Sequence, residues 1–232
     1  MQNRQDNLQK EILESLTGAP LYNKWLLSKA KGFIKSKILE VGSGIGSFTP
    51  HLGELDSQVT PSEINKKFLK ILNKKFENKA LYLDITKVNF EKIKEKTFNT
   101  VVAINVLEHV LQDSLALENM AKLLKNDSNL ILIVPAHKTL YGTYDKSLGH
   151  IRRYSAKELT EKVNKSGLKI RKIIYVNKIG AAAWFLNARI LKLKDFPKSQ
   201  IFFVNLITPL LDFLDKIIPL SFGLSIVCIC RK

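Results

Sequence analysis

Three glycines, Gly42, Gly44 and Gly46, follow directly after a short apolar run at residues 38–41. The apolar run is typical of a buried parallel strand, and the residues after the glycines can begin a helix. Glycine lets the backbone approach a ligand closely because it has no Cβ, and it also permits positive φ angles. The stretch therefore predicts a ligand-binding corner, with a simple packing turn as the alternative.

The spacing of these glycines narrows the choice of ligand. A dinucleotide-binding turn has the pattern G-x-G-x-x-G, whereas here the third glycine comes one residue early and Ser47 stands at the required position. A phosphate loop would continue into lysine followed by serine or threonine, and this pair does not follow the glycines. Glu40 adds a negative charge just before the turn, which would oppose a phosphate. The corner therefore suits a ligand with a cationic end.

Polar residues also follow the next predicted strands. A strand at residues 58–62 ends at Glu63, a strand at 80–83 ends at Asp84, and a strongly apolar strand at 98–104 leads into Asn105. Glu63 lies about 20 residues beyond the glycines, where nucleotide-binding α/β folds hold an acid for ribose hydroxyls. An exposed loop carboxylate for Glu63 and a helix cap for Asp84 remain the alternatives. Parallel strands would bring all these residues to one rim of the sheet.

The segment from Glu40 to Gly46 (EVGSGIG) resembles the first motif of class I S-adenosylmethionine (SAM) methyltransferases. Residues 105–110 (NVLEHV) resemble the fourth motif of the small-molecule members related to quinone-biosynthesis enzymes, although Asn99 replaces the usual aspartate. The resemblance, which extends over residues 37–232, implies SAM as donor, S-adenosylhomocysteine as product, and an Asp84 contact to the adenine amino group. The cofactor-binding residues it implies are Glu40, Gly42, Ser43, Gly44, Gly46, Glu63, Ile64, Asp84, Ile85, Asn105 and Val106.

The acceptor chemistry is expected in residues 136–154, a long loop without a core pattern. The segment resembles a subgroup of these methyltransferases, although Ile151 stands where the subgroup commonly has tyrosine or phenylalanine. Methylation of an oxygen acceptor would be helped by a general base. Histidine is the usual base near neutral pH, although each histidine could instead be structural. The base candidates are His150, His137 and then His109, and the residues expected to orient the acceptor are Tyr141, Tyr144, Arg152 and Arg153.

The order of predicted elements favours one α/β domain in this chain of 232 residues. We expect a Rossmann-like class I methyltransferase fold, with a seven-stranded, mostly parallel sheet, an antiparallel last strand, and helices on both faces. Residues 1–35 would form cap helices (5–16 and 21–33), residues 36–176 and 222–232 the core, and residues 177–221 a helical insertion or lid. A turn is predicted at 126–128, before a strand at 130–135 and a last strand at 224–230.

The net charge of +16 suggests anionic partners, but the lysines are spread over predicted helix surfaces. We expect a small-molecule, sugar or lipid-linked acceptor that is methylated at oxygen. Residues 177–221 could form an amphipathic lid, so peripheral association with an anionic membrane is a further hypothesis. Core helices covering the sheet are the alternative. An RNA-modifying enzyme is disfavoured because the Asn/Asp-Pro-Pro-aromatic tetrapeptide of nucleic-acid amino-methylating enzymes is missing; a non-catalytic SAM-fold binding protein remains possible.

Other features complete the prediction. No secretory signal is visible at the N-terminus, and Cys228 and Cys230 would be buried thiols on one strand face, so we expect a cytoplasmic protein. The four histidines show no close ligand pairing in the sequence, so no metal is expected.

Overall fold

The computed structural model describes residues 2–55, 58–77, 79–193 and 198–232, with the backbone alone for residues 2–9 and 198. Within these residues, seven strands form one sheet in the order β3-β2-β1-β4-β5-β7-β6. Strands β1 to β5 pair in parallel, and β7 runs antiparallel to both β5 and β6. The predicted Rossmann-like sheet is confirmed. The strands are β1 (Ile38–Val41), β2 (Val59–Glu63), β3 (Leu81–Tyr82), β4 (Phe98–Ile104), β5 (Leu124–Pro135), β6 (Lys169–Val176) and β7 (Ser225–Arg231).

Helices cover both faces of this sheet, because successive strand residues enter two separate apolar cores. Leu39 of β1 packs in the core that contains Leu117, whereas its neighbour Ile38 packs in the core that contains Trp25 and Leu52. The α-helices are α1 (Gln2–Thr17), α2 (Pro20–Ser28), α3 (Thr49–Leu55), α4 (Lys66–Lys75), α5 (Asp113–Leu123), α6 (Thr143–Leu148), α7 (Ala156–Lys165), α8 (Lys178–Trp184) and α9 (Lys198–Ile217).

Several predicted boundaries differ from the structure. The second helix was expected to reach Phe33 but ends at Ser28, and a separate 3-10 turn follows at Lys31–Phe33. The turn expected at 126–128 is a bulge inside β5, where the partner of Phe98 is Leu124 and the partner of Thr100 is already Asn129. The extra residues bulge out of the ladder, and pairing with β4 continues on both sides of them.

Residues 136–154 were expected to lack regular structure, and this expectation is wrong. They contain a 3-10 turn at Lys138–Leu140 and helix α6, and a bridge between Ala136 and Tyr154 joins their ends. The segment is organised around the carboxylate of Asp145, which is fully buried. A polar centre of this kind produces no apolar periodicity in the sequence.

Candidate active site

The glycine corner after β1 adopts a backbone that other residues would strain. Gly42, Gly44 and Gly46 have φ angles of +70°, +59° and +83°. A Cβ on Gly42 would lie 2.6 Å from Cγ2 of Val106, and a Cβ on Gly46 would lie 2.5 Å from Cε2 of Phe76. The corner is therefore fixed by its glycines, and α1 covers it from outside, with Leu13 beside Gly44.

Glu63 turns back from the end of β2 to the glycine corner. Its carboxylate accepts a hydrogen bond from the backbone N–H of Gly44 at 2.8 Å and another from that of Asn65 at 2.7 Å. The residue is only 6% exposed, and burial raises its pKa although these backbone hydrogen bonds oppose the rise. A carboxylate held in this way still has lone pairs for hydroxyl groups of a ligand.

Glu40 places a second carboxylate under the same corner. It accepts a hydrogen bond from the Thr49 hydroxyl at 2.5 Å, and its burial raises its pKa to about 7. A cationic ligand would favour the ionised form of such a carboxyl.

The remaining predicted cofactor residues divide into two groups. Asp84 and Asn105 both line the cavity described below, and Asp84 also accepts hydrogen bonds from the N–H and hydroxyl of Thr86. Asp84 therefore also caps a turn, whereas the alternative prediction was that it caps a helix. Ile85, by contrast, is buried in the apolar core, where its carbonyl accepts a hydrogen bond from Asn119 at 2.8 Å.

A cavity of about 1350 Å³ opens at the carboxyl ends of the parallel strands. Its volume exceeds the roughly 300–1,000 Å³ of an ordinary small-molecule pocket, so it has room for a donor and an acceptor together. Helices α1, α8 and α9 form its outer wall. The predicted site residues that line it are Glu40, Gly42, Ser43, Gly44, Glu63, Ile64, Asp84, Asn105, Val106, His109, Tyr144, His150 and Arg153.

His150 lies in this cavity and is oriented by Asp145. The Nδ1 atom of His150 is 2.9 Å from Oδ1 of Asp145, which also accepts a hydrogen bond from Nε of Arg153 at 2.7 Å. Burial opposes ionisation of Asp145, but the His150 hydrogen bond and the Arg153 charge hold its pKa below the usual range. An ionised carboxylate only accepts, so Nδ1 of His150 donates the hydrogen bond to Asp145, and Nε2 is the ring nitrogen left for another partner.

Glu108 and His109 approach the other side of His150. Oε1 of Glu108 is 3.8 Å from Nε2 of His150, and the His109 and His150 rings meet edge to face at 4.9 Å. Burial raises the pKa of Glu108 to about 7, while desolvation and the neighbouring His150 lower the pKa of His109 to about 4. At neutral pH, His109 is therefore a poorer proton acceptor than an ordinary histidine.

These three residues correct one expectation from the sequence. Glu108, His109 and His150 each offer a ligand atom, and these atoms all lie within 4.8 Å of one another. The prediction that the histidines lack close pairing is wrong, because the loop after β5 folds back over the end of β4. One carboxylate and two imidazoles form a set that could hold a divalent cation.

Three predicted acceptor-site residues lie outside the cavity lining formed by the described residues. His137 stacks between the rings of Tyr175 and Phe222, with centroid distances of 5.0 and 4.5 Å. Tyr141 donates its hydroxyl to the carbonyl of His150, and Arg152 pairs with Asp113 at 2.7 Å. Each of these three side chains therefore contacts other parts of the protein around the loop.

Sequence reasoning missed two polar centres and one lid residue. Glu108 stands in the NVLEHV motif and Asp145 in the segment 136–154, but the sequence alone assigned no role to either. Trp184 of α8 lines the cavity, stacks over the Arg153 guanidinium at 4.6 Å, and points Nε1 toward Asp145 at 3.4 Å. No local pattern in the sequence connects Trp184 to the loop.

The glycine end of the cavity fits the donor implied by its motifs. The backbone approaches closely where a Cβ on Gly42 would clash, and Glu40, Glu63 and Asp84 bring carboxylates to that end. Carboxylates suit the ammonium, the sulfonium and the ribose hydroxyls of SAM better than they suit a phosphate.

Comparison with known proteins places the fold among methyltransferases. The chain resembles a SAM-dependent methyltransferase structure from Thermotoga maritima, with a TM-score of 0.66, 14% identity and coverage of 100% of both chains. It also resembles a SAM-dependent methyltransferase from Archaeoglobus fulgidus, with a TM-score of 0.63, 17% identity and coverage of 90% of this chain and 92% of that one.

A third similar structure is a chain of the complex between the Haloferax volcanii Trm112 methyltransferase activator and a methyltransferase. It has a TM-score of 0.65, 12% identity and coverage of 98% of this chain and 96% of that one. At such identities these likenesses show the fold alone, and no curated protein sequence matches the chain. The model of a family described as "Methyltransferase domain" matches residues 8–173, which is more than half of the chain. The chain therefore belongs to this methyltransferase-domain family, whose fold and motifs imply S-adenosylmethionine as the methyl donor.

Proposed function

We propose that this protein methylates a hydroxyl oxygen of a small-molecule, sugar or lipid-linked acceptor, with His150 as the general base. The observation that carries the proposal is the His150–Asp145 hydrogen bond, because its histidine lines the same cavity as Gly42 and Glu63. Donor and acceptor residues thus share one cavity.

SAM, when bound, supplies a methyl group on a sulfonium: a bond forms from the acceptor oxygen to the methyl carbon, the carbon–sulfur bond breaks, and sulfur keeps the electron pair. The protein contributes by positioning the reactants and excluding water. The Nε2 atom of His150 takes the acceptor proton, while Asp145 holds the ring and stabilises the resulting imidazolium. Glu108, 3.8 Å from Nε2, adds a second carboxyl on the same side.

Tyr144 and Arg153 are the residues we assign to the acceptor. Both are buried and line the cavity near His150. The guanidinium of Arg153 is held by Asp145 and by the carbonyl of Ala136 at 3.0 Å, so its position is fixed before an acceptor arrives. Preorganised groups of this kind orient a ligand at low entropic cost.

The test combines a search for the acceptor with a matched pair of variants. Purified protein is incubated with methyl-labelled SAM and fractionated cell extract, and the label is followed into lipid, RNA, protein and small-molecule pools. Label in the lipid or small-molecule pool supports the proposal, and label in RNA or protein alone overturns it.

The variants then test the base. His150→Gln should lower turnover of the labelled acceptor by about 10²- to 10⁴-fold without weakening S-adenosylhomocysteine binding. His137→Gln is the control, because its ring lies between Tyr175 and Phe222 and should leave the rate nearly unchanged. Equal rates for the His150 variant and the unaltered protein would remove the base assignment.

A further inference from the structure

Helix α9 carries apolar side chains on two sides: Ile201 and Leu211 are buried against the body of the protein, and a second set faces outward. Five of its apolar side chains lie along one line at helical spacing, and each is at least 55% exposed; this outer stripe consists of Phe202, Leu206, Leu210, Phe213 and Ile217. Single exposed apolar residues are ordinary, but a stripe of five along one helix marks an interaction surface.

The polar side chains of α9 make contacts with the body of the protein. The carboxylate of Asp212 accepts hydrogen bonds from Trp25 at 2.7 Å and from Lys29 at 2.5 Å. Burial opposes its ionisation, but these contacts and Lys216 lower the pKa of Asp212 to about 2, so the group is charged at neutral pH.

Two further polar residues of α9 cap α2 and α8. Asp215 accepts the backbone N–H groups of Asn177 and Lys178 at 2.6 and 3.0 Å. Asn205 accepts those of Leu21 and Tyr22 at 2.8 and 3.1 Å. These contacts fix the rotation of α9 about its axis, so the helix cannot turn its stripe inward without losing them.

Charge favours one occupant for this stripe. Arg189, Lys192 and Lys216 of the same lid are exposed, while the described acidic side chains of the lid, Asp212 and Asp215, face inward. A second copy packed on the stripe by two-fold symmetry would bring together two chains that each carry a net charge of +16. An anionic lipid surface would instead attract them.

The stripe also leads into the cavity. Phe202 and its neighbour Phe203 line the cavity and are 68% and 58% exposed, so the apolar surface continues from the outside to the mouth. In the described part of the chain, no helix is long and apolar enough to span a bilayer. The arrangement is that of a helix lying on a membrane surface.

We propose that the outer stripe docks on an anionic phospholipid bilayer and that the methyl acceptor is a lipid whose polar head enters the cavity past Phe202. The identity of the acceptor rests on the proposed function, whereas docking does not. A lipid that stays in the bilayer needs to expose only its head to His150.

Vesicle flotation tests the docking. The full chain should float with vesicles of phosphatidylcholine and phosphatidylglycerol, and binding should be on the order of tenfold weaker without the anionic lipid. Leu206→Ser/Leu210→Ser should weaken binding by on the order of tenfold or more. Neither leucine is part of the cavity lining formed by the described residues.

The matched control is Ile71→Ser/Tyr82→Ser, which removes two exposed apolar side chains from α4 and β3. This variant should bind the anionic vesicles as tightly as the unaltered protein. Docking is overturned if the unaltered protein does not float, if both double variants lose binding equally, or if light scattering shows a dimer that Leu206→Ser/Leu210→Ser dissociates.

Separate measurements distinguish failure of docking from failure of the proposed function. S-adenosylhomocysteine binding by calorimetry should be the same in both double variants and without vesicles. If the protein binds S-adenosylhomocysteine and transfers label but does not float, docking alone is refuted. Label from SAM that enters only water-soluble products would overturn the lipid acceptor and leave the SAM site intact.

Discussion

Replacement of Glu63 by glutamine should separate ligand binding from folding at the glycine corner. The two oxygens of Glu63 accept backbone N–H groups from Gly44 and Asn65 at 2.8 and 2.7 Å. In Glu63→Gln, one of these oxygens becomes an NH₂ group, which cannot accept a hydrogen bond. One buried N–H therefore loses its partner, and the carboxylate charge is removed from the site.

The expected magnitudes follow from those two losses. An unpaired buried donor costs about 1–3 kcal/mol, so the free energy of unfolding should fall by about 2 kcal/mol. A hydrogen bond to a charged acceptor contributes about 1.5–3 kcal/mol, which corresponds to roughly 10- to 150-fold in affinity for a ligand that donates ribose hydroxyls to Glu63. The change in affinity should thus be larger than the fold change expected from an uncharged contact.

Isothermal titration with S-adenosylhomocysteine measures the affinity, and urea denaturation measures the free energy of unfolding. The matched control is Glu54→Gln, since Glu54 is a half-exposed glutamate that pairs with Lys24 at 2.9 Å on the outer surface. A folded Glu63→Gln protein that binds within about threefold of the unaltered protein would contradict the ribose assignment.

Three further changes test the corner and the lid. In urea denaturation, Gly167→Ala should cost about 1–2 kcal/mol, because the position has positive φ but open space around it. Gly42→Ala should cost more, because the new Cβ would also meet Val106. Between pH 4.5 and about 7 the buried carboxyl of Glu40 holds its proton in the folded state and loses it on unfolding. Its contribution to stability should therefore fall by up to about 3 kcal/mol as the pH rises from 4.5 through 7. Glu40→Gln should remove that part of the pH dependence of thermal unfolding. Asp215→Ala leaves two backbone N–H groups at the start of α8 without their acceptor and should cost about 1–3 kcal/mol in denaturant titrations; an unchanged midpoint would show that α8 needs no cap from α9.

The cofactor end of the site could be predicted from the sequence because each part of it is local. A glycine turn is visible where the backbone needs positive φ, and Glu63 and Asp84 stand at strand ends that a parallel sheet must bring together. The apolar strands that define the sheet are also local patterns. Ile85 shows the limit of the method, because its position next to Asp84 did not reveal that its side chain enters the core.

The acceptor end depends on partners that are distant in sequence. Asp145 holds His150 and Arg153 from within one loop, but Glu108 comes from the end of β4 and Trp184 from α8. His150 and His137 were both base candidates from the sequence, and nothing local distinguished one from the other. Their positions in the structure differ: His150 lines the cavity, whereas His137 stacks against the rings of Tyr175 and Phe222.

The lid shows a different limit, because periodicity identifies an apolar face without showing what that face contacts. The pattern of α9 fits a core helix and a membrane-surface helix equally well. The choice is made by Asn205, Asp212 and Asp215, whose partners lie on α2 and at the start of α8. Each of these contacts is made while the stripe from Phe202 to Ile217 faces outward, and Ile201 and Leu211 on the inner side are buried at the same time. The polar contacts of the helix, together with its buried inner apolar side chains, therefore determine how α9 is oriented over the cavity.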